Sequence, residues 1–177
     1  MTPSAVSTKA VRSYVDDFSI HKRAFILSPT QWKKFKLATP LKWEKRRLSK
    51  ANIKLIPENR GVYAHSISLD IKNMPPTNYV TYIGLVGDKK KKGPKGDNRH
   101  LRQRFKEYLK EKEALGRPLV WDMLSRYDGF VWFHYAEVPN YAVSLHGIET
   151  ALLDALLPPC NTEDFSINIK KAHKIVA

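Results

Sequence analysis

Two tripeptides and one glutamate carry the chemistry this sequence offers. Gly61-Val62-Tyr63 and Tyr82-Ile83-Gly84 each sit at an apparent strand, with a turn-rich stretch between them. Two strands that each put a phenol into one cleft, followed by a basic helix, suit chemistry on a phosphate. Phosphodiester cleavage needs an activated water, a cation near the attacked phosphate and a group that stabilises the leaving oxygen. A single divalent metal can supply the last of these. Hard cations such as magnesium prefer carboxylate oxygen and keep several waters, so one protein carboxylate suffices. Glu149 stands in mid-helix near Ile148 and Leu152, where a charge is costly unless something pairs with it. Two readings of Glu149 stand at this point: a metal carboxylate, or a core-edge carboxylate tied to an arginine or hydroxyl.

The elements that must position these residues follow from pattern. Ser28-Pro29 reads as an N-cap and first helical residue, after a short apolar strand at 24–27. Thr39-Pro40 predicts a second helix start, with Trp43 and Leu48 near its buried face and Lys42, Lys45, Arg46 and Arg47 outward. Residues 1–58 thus read as a basic N-terminal extension. Either it grips nucleic acid, or Trp32, Phe35 and Trp43 pack onto the main domain and the charges are solvated. Residues 53–56 read as a strand entry, and strands at 62–69 and 79–83 form an antiparallel hairpin. The 88–98 loop carries Lys89, Lys90, Lys91, Lys92 and Lys95; it lies along a phosphate backbone or is a surface insertion.

Leu101, Phe105, Tyr108 and Leu109 recur at helical spacing, predicting a helix over 98–112 with Arg102, Lys106 and Lys110 outward. A second helix is expected at 119–127, a central strand at 130–138 and a helix at 142–157, ended by Pro158-Pro159. The 166–177 tail carries Lys170, Lys171 and Lys174, and either frays or docks on DNA. The order predicts an α+β fold, a small antiparallel sheet flanked by helices.

Composition narrows the class. The chain has 177 residues, 42% of them hydrophobic, enough for one domain with a real core. Lys and Arg number 31 against 17 Asp and Glu, a formal net charge of +14. Such an excess favours a polyanionic partner, because basic side chains release counterions from a phosphate backbone. The single cysteine, Cys160, makes no internal disulfide, and no cysteine–histidine spacing suits zinc. No apolar run approaches a membrane span, and residues 1–9 lack the apolar core of a signal peptide. A cytoplasmic protein is expected. Binding to an anionic membrane surface has only the charge in its favour.

The two tripeptides resemble the signature of the GIY-YIG nuclease family, with Val62 for the middle isoleucine of the first. The stretch His100-Leu101-Arg102-Gln103-Arg104-Phe105-Lys106-Glu107-Tyr108-Leu109 is similar to the family's helix after the second tripeptide. There an arginine is followed four residues later by tyrosine or histidine. Arg104 and Tyr108 fit, and their spacing puts both on one helical face. Glu149, after Gly147-Ile148, fits the family's metal-binding glutamate. Asn161, in Pro158-Pro159-Cys160-Asn161, fits the asparagine that closes the set. The resemblance covers residues 61–161. Two departures accompany it: Leu85 follows Gly84 where the family often has lysine or another polar residue, and the segments 63–82 and 84–104 are longer than in the smallest members.

The resemblance implies a GIY-YIG-like nuclease domain over 59–165, a basic tail over 166–177, and a stand-alone, restriction- or defence-like DNA endonuclease. It implies that Tyr63 orients the attacking water or helps take its proton, that Tyr82 supports that network, and that Tyr108 sits at the same water or at the phosphate. Arg104 would stabilise charge on the non-bridging oxygens, Glu149 would hold one Mg2+ or Mn2+, and Asn161 would brace the site. The partner is then double-stranded DNA, contacted by Lys89–Lys92, Lys95, Arg102 and Lys106, with a homodimer on a palindromic site. The alternative is a nucleic-acid-binding protein on the same fold without catalysis.

Overall fold

Strand β2 (Gly61–Ile67) is buried along nearly its whole length, so it needs cover on both faces. It pairs antiparallel with β3 (Tyr79–Val86) on one side and β4 (Val131–Glu137) on the other. β4 in turn pairs with β1 (Glu44–Arg47), giving a four-stranded antiparallel sheet in the order β1-β4-β2-β3. The computed structural model describes residues 25–75, 77–88, 99–111, 117–161, 164–167 and 169–171. Lys89, Lys90, Lys91, Lys92, Lys95 and Lys174 lie outside them.

Helices cover the sheet on both sides, and the alternation of strand side chains divides the core in two. Tyr63, Phe133 and Tyr135 face α2 (Leu101–Glu111) and α3 (Pro118–Arg126), meeting Leu101, Phe105, Tyr108, Met123 and Leu124. Val62, Ala64 and Ala136 face α4 (Leu145–Leu156), meeting Leu145, Ile148, Leu152 and Leu153. The protein is therefore α+β, with helix layers above and below a small sheet. Ser144 caps α4 by accepting from the Gly147 N–H at 3.2 Å, and the helix stops at Leu157, which is left-handed with φ 46°. Pro158 and Pro159 then prevent its continuation. Helix α1 (Pro29–Lys34) starts as the sequence predicts, with Ser28 accepting from Gln31 N–H and Pro29 in the first turn.

The N-terminal region departs from expectation. Residues 25–28 have no regular structure. No second helix forms after Thr39-Pro40; Glu44–Arg47 is instead the edge strand β1, and Lys50–Leu55 is a 3₁₀ helix rather than a strand entry. The reason lies in alternation. Lys45 and Arg47 stack over the Trp132 ring, 4.5 and 5.1 Å from its centre, while Glu44 on the other face accepts from the Tyr135 hydroxyl at 2.9 Å. The sheet therefore runs across the boundary expected at residue 58. At the other end, Ile169 is buried in the α4-side core, so this part of the 166–177 tail docks on its own domain.

Arg60 ties the strand ends together. It is only 7% exposed. Its guanidinium donates to the carbonyls of Gly87, Val138, Asn140 and Val143 at 2.8–3.5 Å and lies 4.7 Å from the Tyr141 ring centre. One side chain thereby joins the exits of β3 and β4 to the approach of α4. Replacing it with an apolar side chain strands several carbonyls. Arg60→Met is expected to lower stability by about 2–4 kcal/mol, read as the midpoint shift in a urea unfolding curve.

Candidate active site

Tyr63 stands opposite Gly84 across the β2–β3 ladder. A Cβ on Gly84 would overlap the Tyr63 hydroxyl and the ring carbon that bears it. Glycine there leaves the Tyr63 ring room to lie across β3 and carry its hydroxyl to the sheet edge. Phe133 stacks on the ring at 5.3 Å with a 16° interplanar angle, so the ring is fixed in plane. Gly61 serves a related end: a Cβ there would meet the Ala136 carbonyl oxygen.

Helix α2 brings Arg104 and Tyr108 to this hydroxyl, one turn apart. Arg104 Nε donates to Tyr63 Oη at 2.9 Å, and the Tyr63 and Tyr108 hydroxyls lie 3.0 Å apart. Glu107 sets the arginine's orientation: its Oε2 accepts from Arg104 Nη1 at 2.7 Å and from Arg99 Nη1 at 3.0 Å. Tyr82 completes the cluster, its ring 6.2 Å from Tyr63 and 6.1 Å from Tyr108. Glu149 comes from the opposite layer. A cleft of about 280 Å³ at the β3 edge is lined by Tyr63, Tyr82, Gly84, Arg104, His146 and Glu149, among others. His146 Nδ1 faces Glu149 Oε2 at 3.7 Å on the same helix.

Asn161 is a brace. Its Oδ1 accepts from the Ile83 N–H at 2.7 Å and its Nδ2 donates to the Ile83 carbonyl at 2.8 Å. The neighbouring Cys160 N–H donates to the Thr81 carbonyl at 2.9 Å. Asn161 thus supplies to the free edge of β3 the bonds a further strand would supply, holding the backbone between Tyr82 and Gly84.

Four of the six expected site residues, Tyr63, Tyr82, Arg104 and Glu149, therefore line one cleft, with Asn161 behind it and Tyr108 joined to it through Tyr63. Arg102 is different. Its Nε donates to the Ile56 carbonyl at 2.7 Å and its Nη1 to Glu58, so the guanidinium pins α2 to the segment after the 3₁₀ helix rather than pointing outward. Lys106 is exposed as expected. Three contributors have weak sequence signals. Glu107 lies three residues after Arg104, a readable helical pair. His65 shares a strand face with Tyr63. Arg117, which donates to the Tyr108 hydroxyl at 3.2 Å, has no spacing that announces it.

Burial dominates the electrostatics. It lifts the Tyr63, Tyr82 and Tyr108 phenols well above the ordinary tyrosine value, against the downward pull of Arg104 on all three. Burial opposes the Arg104 charge too, but the Tyr63 and Tyr108 hydroxyls outweigh it and hold the guanidinium protonated. His65 sits 4.2 Å from the Tyr108 ring centre, fully buried, with neither ring nitrogen hydrogen-bonded among the described residues. Desolvation, then the charges of Arg117 and Arg104, drive its pKa down to about 3.

As for a metal, no group of three or more histidine, cysteine, aspartate or glutamate side chains is arranged to hold one among the described residues. The cleft lining includes the carboxylates of Asp88, Glu149 and Asp164, with Asp164 accepting from Asn161 Nδ2 at 2.9 Å; such oxygen donors suit a hard, largely hydrated cation, which one carboxylate can hold.

The neutral His65 makes stability pH-dependent. Unfolded, it takes a proton below its ordinary pKa of 6.5; folded, it stays neutral down to about 3. Its contribution is complete above pH 6.5 and is lost as pH falls toward 3, at about 1.4 kcal/mol per pH unit. His65→Phe is expected to flatten the fall in unfolding free energy between pH 6.5 and 4.5, measured by urea titration at several pH values.

Among the described residues no helix is long and apolar enough to cross a membrane. No family model, no curated protein and no solved structure matches this chain.

Proposed function

We propose that the cleft is the active site of a divalent-metal-dependent DNA endonuclease of the GIY-YIG type, restriction- or defence-like. The observation that carries this reading is the meeting of Tyr63, Arg104 and Glu149 in one cleft, from a strand, a helix above the sheet and a helix below it. A packing role for each residue separately does not require that convergence. The Tyr-bearing hairpin, followed by the Arg104 helix and later the Glu149 helix, supports the family resemblance at the level of topology. The net charge of +14 supports a polyanionic substrate.

The residues divide the work as follows. Tyr63, kept neutral by burial, orients the attacking water by hydrogen bonding. Arg104 holds Tyr63 through Nε and stabilises charge on the non-bridging phosphate oxygens. Tyr108 and Tyr82 keep the Tyr63 hydroxyl in place, and Asn161 keeps the strand that carries Tyr82 and Gly84 in place. Glu149 would hold one Mg2+ or Mn2+. When bound, such an ion acidifies a water and stabilises the leaving oxygen.

Wild-type protein is expected to nick supercoiled plasmid in Mg2+ or Mn2+ and to be inactive in EDTA. Glu149→Ala and Arg104→Ala are expected to lower the rate by at least about a hundredfold, while duplex binding, read by gel shift in Ca2+, persists. Binding without cleavage by wild type, on plasmid and on single strands, would overturn the nuclease and leave a nucleic-acid-binding protein.

A further inference from the structure

Arg117 immediately precedes Pro118. A residue before proline is held out of the helical region, and Arg117 is extended, with φ −131° and ψ 99°. Glu111, at the end of α2, holds Arg117 from two sides. It accepts from the Arg117 backbone N–H at 2.9 Å and from Nη2 at 3.3 Å. Nη1 donates to the Tyr108 hydroxyl at 3.2 Å. The guanidinium carbon lies 4.8 Å from the Tyr108 ring centre and 5.7 Å from that of Tyr82.

Arg104, Tyr63, Tyr108 and Arg117 thereby form one chain of hydrogen bonds, 2.9, 3.0 and 3.2 Å long. Its two ends only donate; its two phenols can donate or accept. The central link carries one proton, so its direction is a choice. If Tyr108 donates, Tyr63 Oη receives two donors and its own O–H is left to point into the cleft that Tyr63 lines. If Tyr63 donates, the leftover proton belongs to Tyr108, which does not line the cleft and has Tyr82 as its remaining neighbour. A donor from Arg117 onto the Tyr108 oxygen polarises that hydroxyl and makes it the better donor in turn.

We propose that Arg117 is a second arginine of the site: a positioning residue that, through Tyr108, turns the Tyr63 hydroxyl toward the cleft. This rests on the nuclease reading above, and it adds a residue from α3's N-terminal edge to the site.

Plasmid nicking by Arg117→Met, Arg117→Lys, Tyr108→Phe and the Arg117→Met/Tyr108→Phe double variant tests it. Arg117→Met is expected to slow nicking about ten- to a hundredfold, and Arg117→Lys to recover part of the loss by restoring a cationic donor. In the Tyr108→Phe background, Arg117→Met is expected to cost nothing further, because the group it acts through is gone. A full rate in Arg117→Met, or losses that multiply in the double variant, would overturn the proposal.

The link is also readable without cleavage. In protein with ring-labelled tyrosine, the 13Cζ resonance of Tyr108 is expected to move in Arg117→Met. A resonance that stays put overturns the Arg117–Tyr108 link whether or not the protein cuts. A wild type that cuts nothing while the resonance moves overturns the nuclease reading, and the catalytic role of Arg117 with it.

Discussion

The Tyr63 ring lies across Gly84, and the rest of the site depends on that contact. Strand side chains ordinarily stand away from the sheet. Here the missing Cβ at the paired position gives the ring space to reach the β3 edge, where α2 holds it from one face of the sheet and α4 lines the same cleft from the other. The α2 residues Arg104 and Tyr108 take hold of its hydroxyl from above, and Glu149 of α4 shares the cleft from below. Any side chain at residue 84 would separate these groups. The two tripeptides are thus one device: the first supplies the phenol, the second supplies the gap that lets it through.

Polar contacts hold that device in place. Asn161 pairs with the Ile83 backbone on both sides of the peptide, and Arg60 collects carbonyls from three segments. The tyrosine cluster is closed by two arginines, each paired with a glutamate of α2: Arg104 with Glu107, Arg117 with Glu111. The pairing sets a carboxylate beside each of the two cations that, with burial, keep His65 uncharged. It also leaves the guanidiniums oriented rather than free to rotate, as electrostatic stabilisation of a developing charge requires.

Much of this was legible in the sequence. Apolar recurrence at Leu101, Phe105 and Tyr108 gave the α2 face correctly, and the four-residue spacing of Arg104 and Tyr108 put them on one side of it. The hairpin, the central β4 and the proline stop after α4 also followed from pattern. β1 did not. Lys45, Arg46 and Arg47 look like one solvated helical face, and only Trp132, far along the chain, reveals that Lys45 and Arg47 have an aromatic platform. Arg102 misled for a similar reason: its partners are the Ile56 carbonyl and Glu58, set by tertiary packing of α2 on the preceding loop. Arg117 was invisible because its role comes from a proline-fixed backbone and a glutamate six residues earlier, a pairing with no periodic signature.

The most direct test of the account removes one oxygen. Tyr63→Phe keeps the ring over Gly84 and against Phe133 but deletes the hydroxyl on which Arg104 and Tyr108 converge. Its metal-dependent nicking rate on supercoiled plasmid, with folding and duplex binding checked alongside, decides the matter. A rate lower by about a hundredfold with binding retained is expected. A Tyr63→Phe protein that cuts as fast as wild type would contradict it.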